Sequence, residues 1–251
     1  MSVLTDHPER AAAVAGVLGA RAGAQAVADA AGPQHDQEHL ATEALEILLE
    51  NDEARLATPS DELERRLPAA ADEVRAAVAL LVGRGIARLR DTSVQLTDEG
   101  RVEATRRVRR HRLTARLLHD VIGIAWWKVH GLTSRWETLV DDEVEARIVD
   151  LLDDPGTCPH GNPIPGSANQ PHFPDAMLLD DAPVGPCRVV RVTQTIVDDD
   201  EALQLLELCG FLPGREGEIK ARRDGWVEVA GTVRDAALPP HMARHVIVAP
   251  R

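Results

Sequence analysis

Hydrophobic residues recur at helical spacing in successive segments from residue 40 onward. The segment LATEALEILLEND carries leucine and alanine on one helical face. In TPSDELERRL, Ser60 is the predicted N-cap, and the two acidic residues after it suit the positive end of the helix dipole. After Pro68 a third helical pattern runs to Gly83 and Gly85. Two helices joined by a short turn predict a helix-turn-helix.

An alternating pattern follows the helix-turn-helix. Ile86, Leu89, Val94 and Leu96 alternate with polar residues around the turn Asp91-Thr92-Ser93, as in a two-stranded wing. Helix, helix-turn-helix and hairpin, in that order, indicate a winged helix, although other small helical domains give a similar pattern.

The rest of the chain changes from helix to strand. Helical patterns run from Thr97 towards Ile122, recur near AWWKVH, and return between about 132 and 152. Residues 155–182 are rich in Pro, Gly, His and Asp, which predicts a linker. The tail has strand patterns in CRVVRVTQTI, EGEIKARRDGWVEVAG and HVIVAP, a helix in DEALQLLELCG, and a predicted hairpin turn at Asp224-Gly225. A small β-barrel fits this tail.

Composition narrows the class of protein. The 251 residues include no Tyr and two Phe, so the core must consist mainly of Leu, Val and Ala. The sequence has no run of about 18 apolar residues, so it predicts no membrane span. The Ala-rich start lacks the basic region of a signal peptide. Three widely spaced cysteines do not form a disulfide framework. We therefore expect a cytoplasmic protein that does not interact with membranes.

The net charge and the distribution of arginines give opposite indications about nucleic-acid binding. A net charge of −13 opposes phosphate binding, which depends on Lys and Arg. Seven arginines nevertheless lie between Arg101 and Arg116. We therefore expect a local basic surface within an acidic protein.

Three stretches carry a family resemblance: LTDEGRVEATRRVRRHRLTARLLHDVIGIAWWKVH, SRWETLVDDEVEARIVDLL and GNPIPG. They closely resemble the diphtheria-toxin-repressor family of metal-dependent transcriptional regulators, which includes iron- and manganese-dependent members. The resemblance covers residues 40 to 166, and the tail is similar to the SH3-like domain of that family. It implies a homodimer that holds a divalent metal, Fe(II) or Mn(II) first, with Co(II) or Zn(II) as alternatives. It also implies binding to a double-stranded DNA operator with an inverted repeat.

This resemblance, with the patterns above, gives the expected architecture: mainly α with small β. Residues 1–37 form an Ala/Gly-rich leader, 38–104 a winged helix-turn-helix, and 105–154 a helical metal-binding and dimerisation domain. Residues 155–182 form the linker and 183–251 a C-terminal SH3-like β-barrel. The dimer is expected to bury an amphipathic surface of Leu113, Leu117, Leu118, Val121, Ile122, Trp126, Trp127 and Trp136.

The family's primary metal site is only partly present. The resemblance places Glu43 and Glu46 of the first helix, with Glu137, at ligand positions. Ser134 and Thr138 stand where the family has strong ligands, and hydroxyl groups are poor substitutes. The alternative is that the three carboxylates are exposed to solvent or form ion pairs with arginines.

The family's ancillary site is better preserved, so we expect metal to bind mainly there. It would use His111 and His130, with acceptors from the SH3-like domain near Asp198 and Glu201; Ala115 replaces a family Glu. Imidazole with carboxylate suits Fe, Mn, Co or Zn. The alternative is that His111 and His130 are interfacial histidines hydrogen-bonded to carboxylates.

The predicted DNA-reading helix also departs from the family, because PAAADEVRAAV lacks the usual small polar residues and brings acidic ones. Asp and Glu near phosphates repel DNA. The candidate DNA contacts are Arg75 on this helix, Arg88 and Arg90 on the wing, and Arg65 and Arg66 on the preceding helix.

Two functions remain open. The first is a metal-dependent repressor of iron or manganese homeostasis. The second is a diverged paralogue that acts as a dimeric interaction or structural protein without metal-dependent DNA binding. An enzyme is not expected, since the sequence shows no nucleophile-base arrangement and no phosphate-binding loop.

Overall fold

A computed structural model describes residues 33–53, 56–67, 69–197 and 199–251. Most of the expected leader, residues 1–32, therefore lies outside the described residues. The last part of that segment belongs to the first described helix, α1, Pro33–Glu53.

The N-terminal part has the expected order of a winged helix. Helices α2 (Ser60–Arg66) and α3 (Ala71–Gly83) form the helix-turn-helix, and strands β2 (Ala87–Arg90) and β3 (Ser93–Leu96) form the wing. Apolar side chains of α1, α2, α3 and the wing share one core. Its members include Leu45, Leu48, Leu63, Val74, Leu81, Val94 and Leu96.

One local prediction for this part was wrong, and two features of the wing were not predicted. Pro59 occupies the N-cap position of α2, and the Ser60 hydroxyl instead donates to the carbonyl oxygen of Thr92 at 3.1 Å. A further strand, β1 (Thr58–Pro59), pairs with β3; two residues are too short to show alternation. Leu89, one of the alternating apolar residues of the wing, is 58% exposed.

The middle of the chain is helical but more broken than predicted. Helix α4 (Asp98–Arg116) continues as a π-helical turn over Leu117–Ile122. A 3-10 turn at Trp126–Lys128 leads into α5 (Val129–Trp136). The single helix expected up to residue 152 ends there, and α6 (Asp142–Leu152) starts anew, because Asp141 caps it by accepting from the backbone N–H of Val144 at 2.9 Å.

Residues 155–182 were expected to be a linker, but part of this segment is packed. Cys158, His160, Asn162 and Ile164 are buried. Side chains of α4 bind the segment's backbone: Arg112 donates to the carbonyl oxygen of Pro163 and Arg116 to that of Thr157, each at 2.6 Å. Polar composition suggested solvent exposure, whereas long arginine side chains satisfy the carbonyl groups here.

The expected dimer surface is largely used inside the chain. Leu113 packs with Val140, Ile148 and Ile164, and Leu118 packs in a neighbouring cluster. Trp126 packs into the core of the C-terminal sheet, and its indole N–H donates to the carbonyl oxygen of Pro159 at 2.8 Å. These side chains are therefore not available to a second subunit.

The C-terminal part is a six-stranded antiparallel sheet in the order β4-β9-β5-β6-β7-β8. Its strands are β4 (Met177–Leu178), β5 (Gly185–Val192), β6 (Glu216–Arg223), β7 (Trp226–Ala230), β8 (Asp235–Leu238) and β9 (Val246–Pro250), with helices α7 (Asp200–Cys209) and α8 (Pro240–Ala243). The predicted turn between β6 and β7 is confirmed: Asp224 and Gly225 have φ of 52° and 81°, as a two-residue hairpin turn requires. In the described part of the chain no helix has the length and apolarity that crossing a membrane would need.

Candidate metal centre and DNA-facing surface

Five predicted metal ligands meet at one buried cluster between three helices. Glu43 and Glu46 are one turn apart on α1, His111 lies on α4, His130 on α5, and Glu137 directly follows α5. Spacing of three or four residues places side chains on the same helical face. Both imidazoles and both α1 carboxylates are at most 3% exposed. Such burial of charged groups requires close partners.

The imidazoles connect the carboxylates into one chain of contacts. His111 Nδ1 is 2.5 Å from Glu137 Oε2, and His111 Nε2 is 3.3 Å from His130 Nδ1. His130 Nε2 is 3.4 Å from Glu43 Oε1. Glu46 Oε1 lies 3.8 Å from His111 Nε2. The primary and ancillary residues, expected as two separate sites, therefore form one cluster.

Sequence reasoning missed two polar residues at this cluster. Gln194 Nε2, from the C-terminal part, is 3.3 Å from His130 Nε2. His39 Nε2, on α1, is 2.9 Å from Glu43 Oε1. His39 stands four residues before Glu43, a spacing that signals a shared face on a helix, whereas no sequence pattern indicates Gln194.

The partners set the charges of the cluster. Burial alone would raise the pKa of Glu43, but hydrogen bonds with His130 and His39 outweigh burial and lower this pKa to about 2. Burial alone would lower the pKa of His111, but the carboxylates of Glu46 and Glu137 raise it to about 8. At neutral pH, the imidazole of His111 is therefore protonated on both nitrogens and positively charged, and it lies between the carboxylates of Glu46 and Glu137.

Some buried polar atoms of the cluster have no hydrogen-bond partner among the described residues. They include Glu46 Oε1 and Ser134 Oγ. The other oxygen of Glu46 is 3.6 Å from Arg112 Nη2, too far for a good hydrogen bond. An unsatisfied buried carboxylate oxygen is costly, so a bound cation would stabilise it.

These residues fit a divalent transition metal by donor type, because imidazole and carboxylate are its common protein ligands. Ligand atoms on one such metal lie about 3 Å apart, whereas the separations of neighbouring donors here vary from 2.5 to 3.8 Å. No group of three His, Cys, Asp or Glu in the described part of the chain is already arranged to hold a metal ion. Metal binding therefore requires side-chain rotation that replaces these hydrogen bonds.

The remaining predicted ligand positions do not meet at this cluster. Asp198 lies outside the described residues. Glu201 is in the first turn of α7, where it lines a separate cavity with Arg65 and Arg66. The hydroxyl of Thr138 donates to the carbonyl oxygen of Arg135 in the last turn of α5, at 3.1 Å. The side chain that the C-terminal part does bring to the histidines is that of Gln194, whose amide nitrogen lies 3.3 Å from His130 Nε2.

The candidate DNA contacts have different surroundings. Arg88 and Arg90 are exposed on the wing. Arg75 is exposed on α3 but paired with Glu64 at 3.0 Å, and Arg65 is exposed and paired with Asp61 at 2.5 Å. These four remain on the surface of the winged helix.

Arg66, expected to face DNA, is instead held between parts of the chain. Its guanidinium lies 3.0 Å from Glu50 and 3.2 Å from Glu62, and donates to the hydroxyl of Thr195 at 3.1 Å. Arg191 of β5 also contacts Glu50, at 2.9 Å. Arg66 therefore connects the winged helix to the C-terminal part.

A winged helix, helices around a buried imidazole-carboxylate cluster and a C-terminal antiparallel sheet define the class of metal-dependent repressors. Two solved structures of that class share the fold. A manganese-dependent transcriptional repressor in complex with manganese is 27% identical, with a TM-score of 0.69 over 84% of this chain and 100% of that chain. The T. acidophilum IdeR structure is 26% identical, with a TM-score of 0.64 over 84% of this chain and 97% of that chain.

Sequence relatives identify the family. Residues 97–166 match the family described as iron dependent repressor, metal binding and dimerisation domain. The iron-dependent repressor IdeR of Mycobacterium tuberculosis is 34% identical over 167 residues, which are 62% of this chain and 73% of that protein. The diphtheria toxin repressor of Corynebacterium diphtheriae is 36% identical over 165 residues, 62% of this chain and 72% of that protein. The chain belongs to the iron-dependent repressor family.

Proposed function

We propose that this protein is a transcriptional repressor that binds an inverted-repeat DNA operator as a homodimer when a divalent metal, Fe(II) or Mn(II), occupies the buried cluster. One observation carries the proposal: the cluster joins α1, which belongs to the winged helix, to α4 and α5 through Glu43, His130 and His111. A metal there would bind groups of both parts at once. Its occupancy would therefore fix the position of the winged helix.

The charge of the cluster supports a cation as its ligand. Glu43, Glu46 and Glu137 bring three carboxylates to one region, and the raised pKa of His111 is the expected effect of carboxylates that favour a positive partner. When bound, the metal supplies a divalent positive charge that replaces protons on the imidazoles. Imidazole and carboxylate donors suit iron and manganese, and the relatives include iron-dependent and manganese-dependent repressors.

The packing of α1 offers a route from metal to DNA. Side chains of α1 such as Leu45 pack in the same core as Val74 of α3, the predicted reading helix. Close-packed side chains transmit small displacements. Fixing Glu43 and Glu46 on a metal would therefore also restrict α3. The alternative function, that of a paralogue that does not bind DNA, is not favoured, because the relatives are named repressors.

Metal-dependent DNA binding is the direct test. We expect the full chain to retard a DNA fragment from upstream of its own gene in the presence of Fe(II) or Mn(II), and to release it with a chelator. Anaerobic gel shifts with each metal would measure this. No binding to any duplex at low salt, with every metal, would contradict the proposal.

The wing and reading helix should bind phosphates of the DNA backbone. We expect Arg75→Ala and Arg88→Ala each to weaken DNA binding, and each to reduce the slope of log affinity against log salt by about 0.9 for every phosphate that the variant no longer neutralises. Arg223→Ala is the control, because Arg223 is an exposed arginine on β6 of the C-terminal sheet. Equal weakening in all three variants would show a non-specific charge effect.

The dimer should use apolar side chains that remain exposed near α5. Trp136 is 40% and Leu139 is 75% exposed, and both lie within the region that matches the dimerisation domain. We expect a homodimer in sedimentation velocity at micromolar concentration, and a shift towards monomer for Leu139→Asp, because a charge there opposes burial. Val233→Asp is the control, at an exposed apolar residue of the C-terminal part. A monomeric parent protein would contradict the dimer.

A further inference from the structure

A third histidine takes part in the cluster. His39 Nε2 is 2.9 Å from Glu43 Oε1, and the same oxygen is 3.4 Å from His130 Nε2. Glu43 is thus shared by two imidazoles from different helices. The family resemblance did not indicate His39, and its side chain is one-third exposed, unlike those of the other two histidines.

His39 also lines a cavity of about 340 Å³ next to the buried cluster. Glu137, Ser134 and Thr138 line the same cavity. Ser134 Oγ is buried and has no hydrogen-bond partner among the described residues, so this wall holds an unsatisfied polar atom. Serine and threonine hydroxyls are weak metal donors, and His39 adds an imidazole from α1 to the lining of the same cavity.

The helix places His39 and Glu43 suitably for chelation. Residues four apart on a helix lie one above the other on one face, and imidazole ligands at this spacing bind zinc in helical metal sites. The 2.9 Å separation of the two donor atoms matches the spacing of about 3 Å between ligands on one metal. The partial exposure of His39 provides a path by which a metal can enter.

We propose that His39 Nε2 is a ligand of the divalent metal, and that α1 thereby supplies the imidazole that Thr138 cannot supply from the end of α5. This inference rests on the proposed metal-dependent function. The centre would then have three imidazoles, His39, His111 and His130, beside its carboxylates. Imidazole favours iron, cobalt and zinc, whereas carboxylate favours manganese. His39 should therefore shift the preference of the site from Mn(II) towards Fe(II) and Co(II).

The test uses Co(II) added to the full chain with ¹⁵N-labelled histidine. Paramagnetic NMR is expected to show three contact-shifted imidazoles in the parent protein and two in His39→Gln. Isothermal titration should show Co(II) affinity lower by more than about 10-fold in His39→Gln, since even the loss of outer-shell partners costs this much. The matched control is His172→Gln, at an exposed histidine, which should keep three shifted imidazoles and the parent affinity.

A variant that replaces the imidazole of His39 with a carboxylate gives a second measurement. His39→Asp keeps a donor but replaces imidazole with carboxylate, so the ratio of Co(II) to Mn(II) affinity should fall relative to the parent. Circular dichroism and thermal melting of the metal-free variants show whether each is folded.

The outcomes separate this inference from the proposed function. Two contact-shifted imidazoles in the parent, or unchanged affinity and metal preference in the His39 variants, would overturn the role of His39 and leave the metal-dependent function intact. Weaker binding by His39→Gln with only two shifted imidazoles in the parent would also overturn it, because His39 would then only position Glu43. If the folded parent binds none of Fe(II), Mn(II), Co(II) and Zn(II), the proposed function fails as well.

Discussion

The double variant His111→Ala/His130→Ala is expected to bind Mn(II) or Co(II) more than about 100-fold more weakly than the parent, and to lose metal-dependent DNA binding. Replacing even outer-shell partners of metal ligands costs up to about 100-fold, and this variant removes two imidazole donors at the centre of the cluster. The two rings also link the other donors, since they stand between Glu137 and Glu43. Isothermal titration of the metal-free protein measures the change.

A second double variant tests whether the donors form one site. Because Glu137 contacts His111 and Glu43 contacts His130, Glu43→Ala/Glu137→Ala should lose affinity to a similar extent. A variant of two exposed histidines, His172→Ala/His241→Ala, should bind as the parent does. If the His111/His130 variant kept the parent affinity while the carboxylate variant lost it, metal would bind through the carboxylates without His111 and His130.

The same titration should depend on pH. Metal binds neutral imidazole, and His111, with a pKa raised to about 8, is protonated at neutral pH before metal binds. Affinity should therefore fall as the pH is lowered below about 8, by about tenfold per unit for each proton displaced. Affinity that is constant between pH 8 and pH 6 would contradict competition between the metal and this proton.

Glu50→Ala is expected to weaken the contact between the winged helix and the C-terminal part by about 2 to 3 kcal/mol. Glu50 lies between Arg66 and Arg191, at 3.0 and 2.9 Å, and its side chain is 26% exposed. Removing one partner of a buried ion pair costs about 3 to 5 kcal/mol, and partial exposure reduces this value. Urea unfolding, with limited proteolysis between the two parts, measures the change.

The control for Glu50→Ala is Glu64→Ala, which breaks an ion pair to the exposed Arg75 and should cost less than about 1 kcal/mol. Burial alone would raise the pKa of Glu50, but Arg191 and Arg66 outweigh it and lower this pKa. The stabilisation should therefore be complete above pH 4.5, the ordinary value, and be lost as the pH falls through the lowered pKa. Equal effects of the two variants would show that Glu50 does not join the two parts.

Some features followed from local pattern. Apolar periodicity predicted α1, α3 and α4, because their buried faces repeat with the helical period. The alternation around residues 86–96 predicted the wing, and Asp224-Gly225 predicted the β6–β7 turn. The break at Asp141 was missed, since a capping aspartate in an otherwise helical pattern is a weak signal.

The sequence predicted most residues of the candidate site but not how these residues are arranged in space. Sequence similarity indicated His111, His130 and the carboxylates, yet it assigned them to two sites. The four-residue spacing of His39 and Glu43 on α1 is a signal that the sequence does contain, whereas Gln194 was missed because its role depends on a contact with His130 on another segment. The same holds for Arg66, whose charge suggested DNA while its partners Glu50 and Thr195 hold it inside the protein.

Most of the order of elements, the class of fold and the types of donor could be read from the chain alone, because periodicity, turn residues and ligand chemistry are local properties. Tertiary packing was needed to bring the donors of α1, α4 and α5 into one buried cluster, and to carry Gln194 to it from the C-terminal part. The physical reason is that distances between residues far apart in sequence depend on how helices and sheet pack. That packing is set by the shared cores, to which no single segment contributes enough to fix the geometry.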